Sequence, residues 1–336
     1  MKDSSLPLVS FIMPVFNAGR YIANTLESVI HQSFKNWELI IIDDLSTDNS
    51  LEIAEKYAYS DSRIRIIRRA KNSGHAFTPR KEAAQAAQTE IISPIDADDL
   101  IETTYLEKLL DCAKSEDISL VYPTMRLKRH GIDMEIPDKD FDRTKAYRGK
   151  DLIGLTLNGW EISANGGIID KNLYLRCMSM LERTNYIFSD ETLTRILLSE
   201  ANKVRISDAI YFYNINEESV TNRVSSKRFD YLTADKCLAD FLKSKNILDS
   251  ENLIKMEIQR FLNIVNAIRD LNDFGKRLNR FGRLKVRRMI QDAYSSIDWK
   301  LLKPNVGWKY YKLMRLGIPT AAIFMKFYDR FSKQGN

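Results

Sequence analysis

Ile91-Ile92-Ser93-Pro94-Ile95-Asp96-Ala97-Asp98-Asp99 is a short apolar run that ends abruptly in three carboxylates. A run of that length buries well in a parallel sheet, whose two faces are both covered, but aspartates cannot be buried unpaired. They are therefore expected to emerge at the strand's carboxyl end, the edge at which open α/β sheets bind ligands. Carboxylates at i and i+2 of a turn can meet one hard cation, Mg2+ or Mn2+, which keeps positions open for phosphate oxygens. A solvated acidic turn capping the next helix is the plainer alternative.

The preceding residues repeat the pattern. Apolar runs at 8–13, 37–42 and 63–67 alternate with helical spacing at 18–32, 47–59 and 79–88, joined by short connections. This βαβαβαβ order implies an α/β fold, a mostly parallel central sheet with helices on both faces. Each strand ends in polar or special residues: Pro14 and Asn17, then Asp43 and Asp44, then Asn72 and Gly74, then the aspartate cluster. Four strand ends converge on one crevice.

Residues 101–225 are less regular, with a helix expected at 104–114, strands at 119–125 and 209–213, and helices near Leu152, near Leu173 and after Asp190. Loops through Asn158-Gly159-Trp160-Glu161 and Asn165-Gly166-Gly167 look flexible. Beyond residue 226 the spacing is almost wholly helical, at 231–242, 253–271 and 278–293. The expected organisation is one domain over 1–225, with a nucleotide-binding half (1–100) and an acceptor half (101–225), followed by a basic helical region over 226–336.

Composition sets limits on function. At 336 residues and 44% hydrophobic content the chain can build a substantial core. Cys112, Cys177 and Cys237 are odd in number and lack Cys-x-x-Cys spacing, which argues against a disulfide framework or a zinc site. No secretion signal is visible, and no apolar stretch approaches the roughly 20 residues needed to cross a bilayer. A cytoplasmic protein is expected, either free or peripheral on the cytoplasmic face of the inner membrane.

The net charge of +6 conceals an asymmetry: Lys276 to Asn336 carries 15 Lys plus Arg against 3 Asp, a net +12, and the remainder is −6. Arg277, Arg280, Arg283, Lys285, Arg287 and Arg288 alternate with Leu278, Phe281, Leu284 and Met289, and aromatic residues continue through Trp308, Tyr310 and Tyr311. Such a segment suits the headgroup region of an anionic membrane. A helical bundle with a solvated basic face, packed on the front domain or on a second subunit of a homo-oligomer, remains open. No nucleic-acid motif accompanies the charge, and nucleic acid is not an expected partner.

Taken together, Val9-Ser10-Phe11-Ile12-Met13-Pro14-Val15-Phe16-Asn17, Ile42-Asp43-Asp44-Leu45-Ser46-Thr47-Asp48 and Asp96-Ala97-Asp98-Asp99 resemble the family 2 glycosyltransferases of bacterial surface-polysaccharide synthesis. Asn72-x-Gly74 followed by Arg80, Ser189-Asp190, and the stretch from Tyr211 to Thr221 extend the resemblance over about residues 7 to 225. It implies a GT-A fold and an inverting, metal-dependent transfer of a sugar from a nucleotide-sugar donor, UDP-linked above all, to a glycan or lipid-linked acceptor.

By position in the family pattern, Asp190 is the catalytic base. Asp44 with Pro14, Phe16 and Asn17 holds the nucleotide, while Arg80, Asp96 and Ala97 complete the donor site. Asp98 with Asp96 holds Mn2+ or Mg2+. Asp99 orients the acceptor or caps the helix at Thr103, and Trp160 stacks on a sugar or fills the core. Asp190 also opens an apparent helix, where an acidic residue offsets the helix dipole without any chemistry; Arg80 on an amphipathic helix has an equally plain reading as an exposed side chain. Two rival functions stand beside the transferase. An Asp-nucleophile phosphatase would follow Asp-x-Asp with Thr or Val, whereas Asp99 and Leu100 follow here. A catalytically inactive, glycosyltransferase-like module would bind nucleotide or glycan without turnover.

Overall fold

The computed structural model describes residues 8–114, 118–129, 132–135, 141–157, 163, 165–181, 189–215 and 225–305. The chain divides into two compact units, Met1–Asn216 and Glu217–Asn336.

In the first unit β1 (Val9–Val15), β2 (Trp37–Asp43), β3 (Ile64–Arg68) and β4 (Ile91–Pro94) alternate with α1 (Ile22–Ile30), α2 (Ser50–Ser60) and α3 (Phe77–Ala86). The four strands are parallel, in spatial order β3-β2-β1-β4. β2 is buried along its whole length and β1 everywhere but at Pro14, so apart from Ser10, Glu38 and Asp43 both read as apolar runs rather than alternating ones. Val9, Phe11, Met13 and Val15 of β1 join one core cluster with Ile22, Leu26 and Val29 of α1 and Ala54 of α2. The alternate residue Ser10 looks the other way, donating to Glu38 Oε1 (2.6 Å) and lying 2.8 Å from the Thr89 hydroxyl. α3 packs on β1 and β2 and contributes nothing to that cluster, so it covers the opposite face.

The unit continues through β5 (Leu100–Ile101), α4 (Tyr105–Ala113), β6 (Leu120–Arg129), β7 (Ile132–Glu135), α5 (Gly149–Thr156), β8 (Ile168–Asp170), α6 (Lys171–Leu181), α7 (Ser189–Glu200) and β9 (Val204–Asn214). The sheet runs β3-β2-β1-β4-β8-β6-β9-β5, with β7 beside β6. β8 is antiparallel to both neighbours, and β6 and β9 are parallel to each other. The fold is the expected α/β sheet, mixed beyond β4. The sequence reading does not include β5, β7 and β8; β5 and β8, at 2 and 3 residues, are too short to display a period.

The second unit is helical among its described residues. α8 (Tyr231–Ser244), α9 (Ser250–Phe274), α10 (Arg280–Ser295) and α11 (Trp299–Leu302) enclose a core of Phe229, Leu232, Phe261, Ile264, Val265, Ile268, Val286, Ile290 and Leu302. Inside it Glu257, fully buried, accepts Lys243 Nζ (2.8 Å) and Arg260 Nη1 (2.7 Å) on Oε1 and the Asp298 backbone N–H (3.1 Å) on Oε2. Both oxygens of a charge that would be costly alone are thereby satisfied. No described helix is long and apolar enough to cross a membrane.

Candidate functional site

Val15 pairs with Asp43, so the chain leaves β1 and β2 at the same level. Just beyond, Asn17 (φ 51°) and Leu45 (φ 64°) are left-handed. That conformation is uncommon for any residue but glycine, and for a side chain as bulky as leucine it marks a backbone held by its surroundings. The holding bonds are visible: Asn17 N–H donates to Ser46 Oγ (3.1 Å), Thr47 N–H to Asn17 Oδ1 (2.8 Å), and Asp44 N–H to the Val15 carbonyl (2.8 Å). Asp43 accepts the Ser46 N–H (3.1 Å), so its job is the turn.

Asp44 is 3% exposed. Its carboxylate accepts Arg69 Nη1 (2.5 Å), Ser73 Oγ (2.7 Å) and the Ser73 N–H, shared between both oxygens at 3.0 Å. Asn72 Nδ2 donates to the Asp44 carbonyl (2.7 Å) while Asn72 Oδ1 accepts the Gly74 N–H (2.8 Å), and Gly74 has φ 78°. Asn72-x-Gly74 is thus an asparagine turn that closes on Asp44, with glycine where the backbone turns left-handed. Phe16, 49% exposed, and half-buried Pro14 stand at the end of the adjoining strand.

A second group forms beyond β4. Arg80, on α3 and 4% exposed, donates from Nη2 to Asp96 Oδ1 and from Nη1 to Asp190 Oδ1. One guanidinium therefore joins the acidic turn to the first turn of α7. Asn165 Nδ2 donates to Asp96 Oδ2 (2.8 Å). Asn165, Gly166 and Gly167, expected to be flexible, are buried instead. Gly167 N–H donates to the Tyr105 hydroxyl (2.5 Å), and its carbonyl accepts Ser93 Oγ (2.8 Å). Only glycine suits Gly167, since its φ is 84° and a Cβ would lie 2.0 Å from the Val121 carbonyl oxygen.

Asp99, 1% exposed, accepts the Tyr211 hydroxyl (2.7 Å) and the Asn214 N–H (2.8 Å) from β9. The Tyr211 hydroxyl in turn accepts the Asp96 N–H (3.2 Å). This corrects the capping expectation for Asp99: the helix after Thr103 has no side-chain cap, and Asp99, buried and engaged on both oxygens, anchors the acidic turn to β9. Burial pushes its carboxyl well above the ordinary value, and Asp98 and Asp96 add to the rise. Burial also raises the Asp96 carboxyl, with Arg80 pulling it down and Asp190 pushing it up. Burial disfavours the charge of Arg80, but Asp190 and Asp96 more than offset this and raise its pKa well above the usual arginine value.

The structure thus brings Arg80, Asp96 and Asp190 into direct contact, with half-buried Asp98 in the same turn. Ala97 is nearly buried, its carbonyl accepting Thr25 Oγ from α1 (3.0 Å). Asp44 forms a separate group on β2, and Trp160 lies outside the described residues. The exposed-arginine reading of Arg80 fails, because the guanidinium is buried. Sequence reasoning missed Arg69, Ser73 and Tyr174. The Tyr174 hydroxyl is fully buried without a hydrogen-bond partner among the described residues, within electrostatic reach of Arg80, Asp190 and Asp96. For a metal, no three ligating side chains converge among the described residues. Both Asp96 oxygens are taken, Oδ1 by Arg80 and Oδ2 by Asn165.

A family model described as glycosyl transferase family 2 matches residues 10–162. The putative glycosyltransferase EpsH of Bacillus subtilis is 28% identical over 280 residues, 80% of this chain and 78% of EpsH. The poly(ribitol-phosphate) beta-N-acetylglucosaminyltransferase TarP of Staphylococcus aureus is 38% identical over 117 residues, 34% of this chain and 35% of TarP. The chain spans 38% and 41% of the length of two further curated glycosyltransferases that it matches. The crystal structure of S. aureus TarS 1–349 with UDP aligns with a TM-score of 0.68 at 19% identity, covering 98% of this chain and 92% of that one. Residues 10–162 therefore belong to glycosyl transferase family 2, and the sheet that carries them is a GT-A fold.

Proposed function

We propose that the chain is an inverting glycosyltransferase that moves a sugar from a UDP-sugar to a glycan or lipid-linked acceptor of a bacterial surface polymer, on the cytoplasmic side. The observation that carries this reading is Arg80, whose single buried guanidinium holds the acidic turn after β4 and Asp190 at one point of the sheet edge. TarP is named for N-acetylglucosaminyl transfer to poly(ribitol-phosphate), and TarS has been crystallised with UDP and with UDP-GlcNAc. The TarS complexes support UDP as the donor nucleotide, and the name of TarP supports a polymer as the destination.

The chemistry follows from the arrangement. β2 and β4 flank β1, so Asp44 and Asp96 leave the sheet two strand spacings apart, roughly 10 Å. A nucleoside diphosphate laid across that edge would put its base beside Asp44 and Phe16 and its phosphates beside Asp98. The acceptor positions of Asp44 are filled by Arg69 and Ser73, so a base N–H reaches it only when the shared Ser73 bond gives way. A divalent cation held by Asp98 and by diphosphate oxygens would supply charge to the leaving group. Arg80 takes only Oδ1 of Asp190, whose side chain is 36% exposed. Oδ2 is then the oxygen that accepts the proton of the acceptor hydroxyl as that hydroxyl attacks the anomeric carbon and the carbon–oxygen bond to the diphosphate breaks on the opposite face.

Calorimetric titration with UDP, GDP, TDP and CMP, with and without Mn2+, tests the donor site. Tight binding of UDP alone that a chelator abolishes is the expected result. Absence of binding by every nucleotide with metal present, together with no transfer from any UDP-sugar, would overturn the reading.

A further inference from the structure

α10 has two faces of different chemistry. Val286, Ile290 and Ala293 are buried in the core of the second unit. Phe281, Leu284 and Arg288, at i, i+3 and i+7, share the opposite face; Phe281 is 81% exposed and Leu284 45%. Lys276, Arg277, Arg280, Lys285 and Arg287 are exposed around them. Lys285 lies 3.5 Å from Asp230, but Lys276, Arg277, Arg280, Arg287 and Arg288 have no acidic partner among the described residues. Asp292 is the one acidic residue of α10. The solvated face of a soluble bundle intersperses both signs. A phenylalanine and a leucine standing in solvent amid cations of one sign make a different kind of surface.

We propose that this face of α10 docks on an anionic lipid bilayer, Phe281 and Leu284 entering the headgroup boundary while the surrounding Lys and Arg meet lipid phosphates. Charge decides against the other occupants. Residues 306–336 carry Lys309, Lys312, Arg315, Lys326, Arg330 and Lys333 against Asp329, so their charge does not complement that of the face. A second copy offering the same face is repelled by its like charge. The apolar area of two side chains is small, so electrostatic attraction supplies most of the affinity and the surface is reversible and sensitive to salt. The inference is independent of the roles given to Asp98 and Asp190.

Co-sedimentation of the full chain with neutral phosphatidylcholine vesicles and with vesicles rich in phosphatidylglycerol tests it. The chain should bind the anionic vesicles and not the neutral ones, and lose at least tenfold in affinity when salt shortens the screening length from about 10 Å to about 3 Å. Replacing Arg280, Arg287 and Arg288 by Gln should weaken binding about 10²-fold, at roughly fivefold per side chain. Phe281→Ser should weaken it several-fold more than Gln291→Ser, and all variants should keep the parent's melting temperature. Equal binding to neutral vesicles, or no vesicle binding, would overturn the proposal. Unchanged binding by the triple variant would move the anchor elsewhere, and duplex DNA binding as tightly as the vesicles, or self-association lost in the triple variant without a change in vesicle binding, would replace the bilayer with those partners.

Discussion

Replacing Arg80 by Met tests whether one guanidinium ties the two halves of the site together. The side chain of Arg80 is 5% exposed, that of Asp96 20% and that of Asp190 36%. The two pairs are therefore unequal. Asp96, also held by Asn165, is left in a largely buried position when its cation goes, and breaking such a pair costs about 3–5 kcal/mol. Asp190 opens to water, so its share is about 1 kcal/mol or less. Arg80→Met should then destabilise the first unit by about 3–6 kcal/mol, and Asp190→Asn by about 1 kcal/mol or less. In double-mutant cycles Arg80 should couple to Asp96 by about 2–3 kcal/mol and to Asp190 by about 1 kcal/mol or less. Urea unfolding followed by circular dichroism gives these differences. Transfer should separate from stability: Asp190→Asn keeps the fold and donor binding but loses about 10²–10⁴ in rate, the usual contribution of a general base. If Arg80→Met costs less than about 1 kcal/mol, the guanidinium is not buried between two carboxylates and the reasoning fails. Near-normal transfer by Asp190→Asn would put the base elsewhere.

Asp98→Ala should abolish Mn2+-dependent nucleotide binding without lowering the melting temperature, and retained metal-dependent affinity in calorimetry would remove Asp98 from the site. Tyr174→Phe should leave stability unchanged or raise it by about 1 kcal/mol, because it deletes a buried hydroxyl that lacks a partner among the described residues; a clear loss in urea unfolding would mean that the hydroxyl is bonded in solution. Asp99, whose carboxyl is raised well above its ordinary value, keeps a proton in the folded chain that the unfolded chain releases above about pH 3.9. Its contribution is full below that pH and is lost as pH rises toward the folded value, so Asp99→Asn should flatten this fall. Parallel curves of melting temperature against pH for the two proteins would contradict it.

What was legible in the sequence was whatever a buried parallel strand cannot absorb. Asp43 and Asp44 after β2 and the aspartates after β4 announce a sheet edge because the residues before them are apolar and the carboxylates must leave the core. The partners of those carboxylates were not legible, since each arrives from far along the chain: Ser73 reaches Asp44 from 29 residues away, Asn165 reaches Asp96 from 69, and Arg80 reaches Asp190 from 110. Arg80 could be placed on a helix, but no local pattern distinguishes an arginine pointing at solvent from one neutralising two carboxylates. Asp99 misled in the opposite direction: from its place in the turn it could be read as a cap for the helix at Thr103, and it is instead buried against Tyr211. The glycine pair Gly166-Gly167 looked like flexibility, and it is close packing, of Gly166 against Tyr211 and Pro123 and of Gly167 against Val121.

The charge balance of the site leads to one more consequence. Asp96, Asp98 and Asp190 stand against Arg80, while burial favours the neutral form of Asp99. Among the described residues, three carboxylates against one guanidinium leave this cluster net negative, and the proposed donor brings a diphosphate of the same sign. Two like charges about 4 Å apart at an effective dielectric of about 20 repel by about 4 kcal/mol, nearly three decades of affinity. Favourable contacts to the base must overcome that unless a divalent cation enters with the phosphates. Without metal, UDP should therefore bind weakly, and more tightly as salt rises, because screening removes a repulsion. With Mn2+ the salt dependence should reverse, since the attraction that then dominates is the one being screened. A titration of UDP affinity against salt, with and without Mn2+, reads both signs. Metal-free binding that weakens with salt would show that the pocket attracts the diphosphate unaided, and the argument from Asp98 to a cation would lose its physical basis.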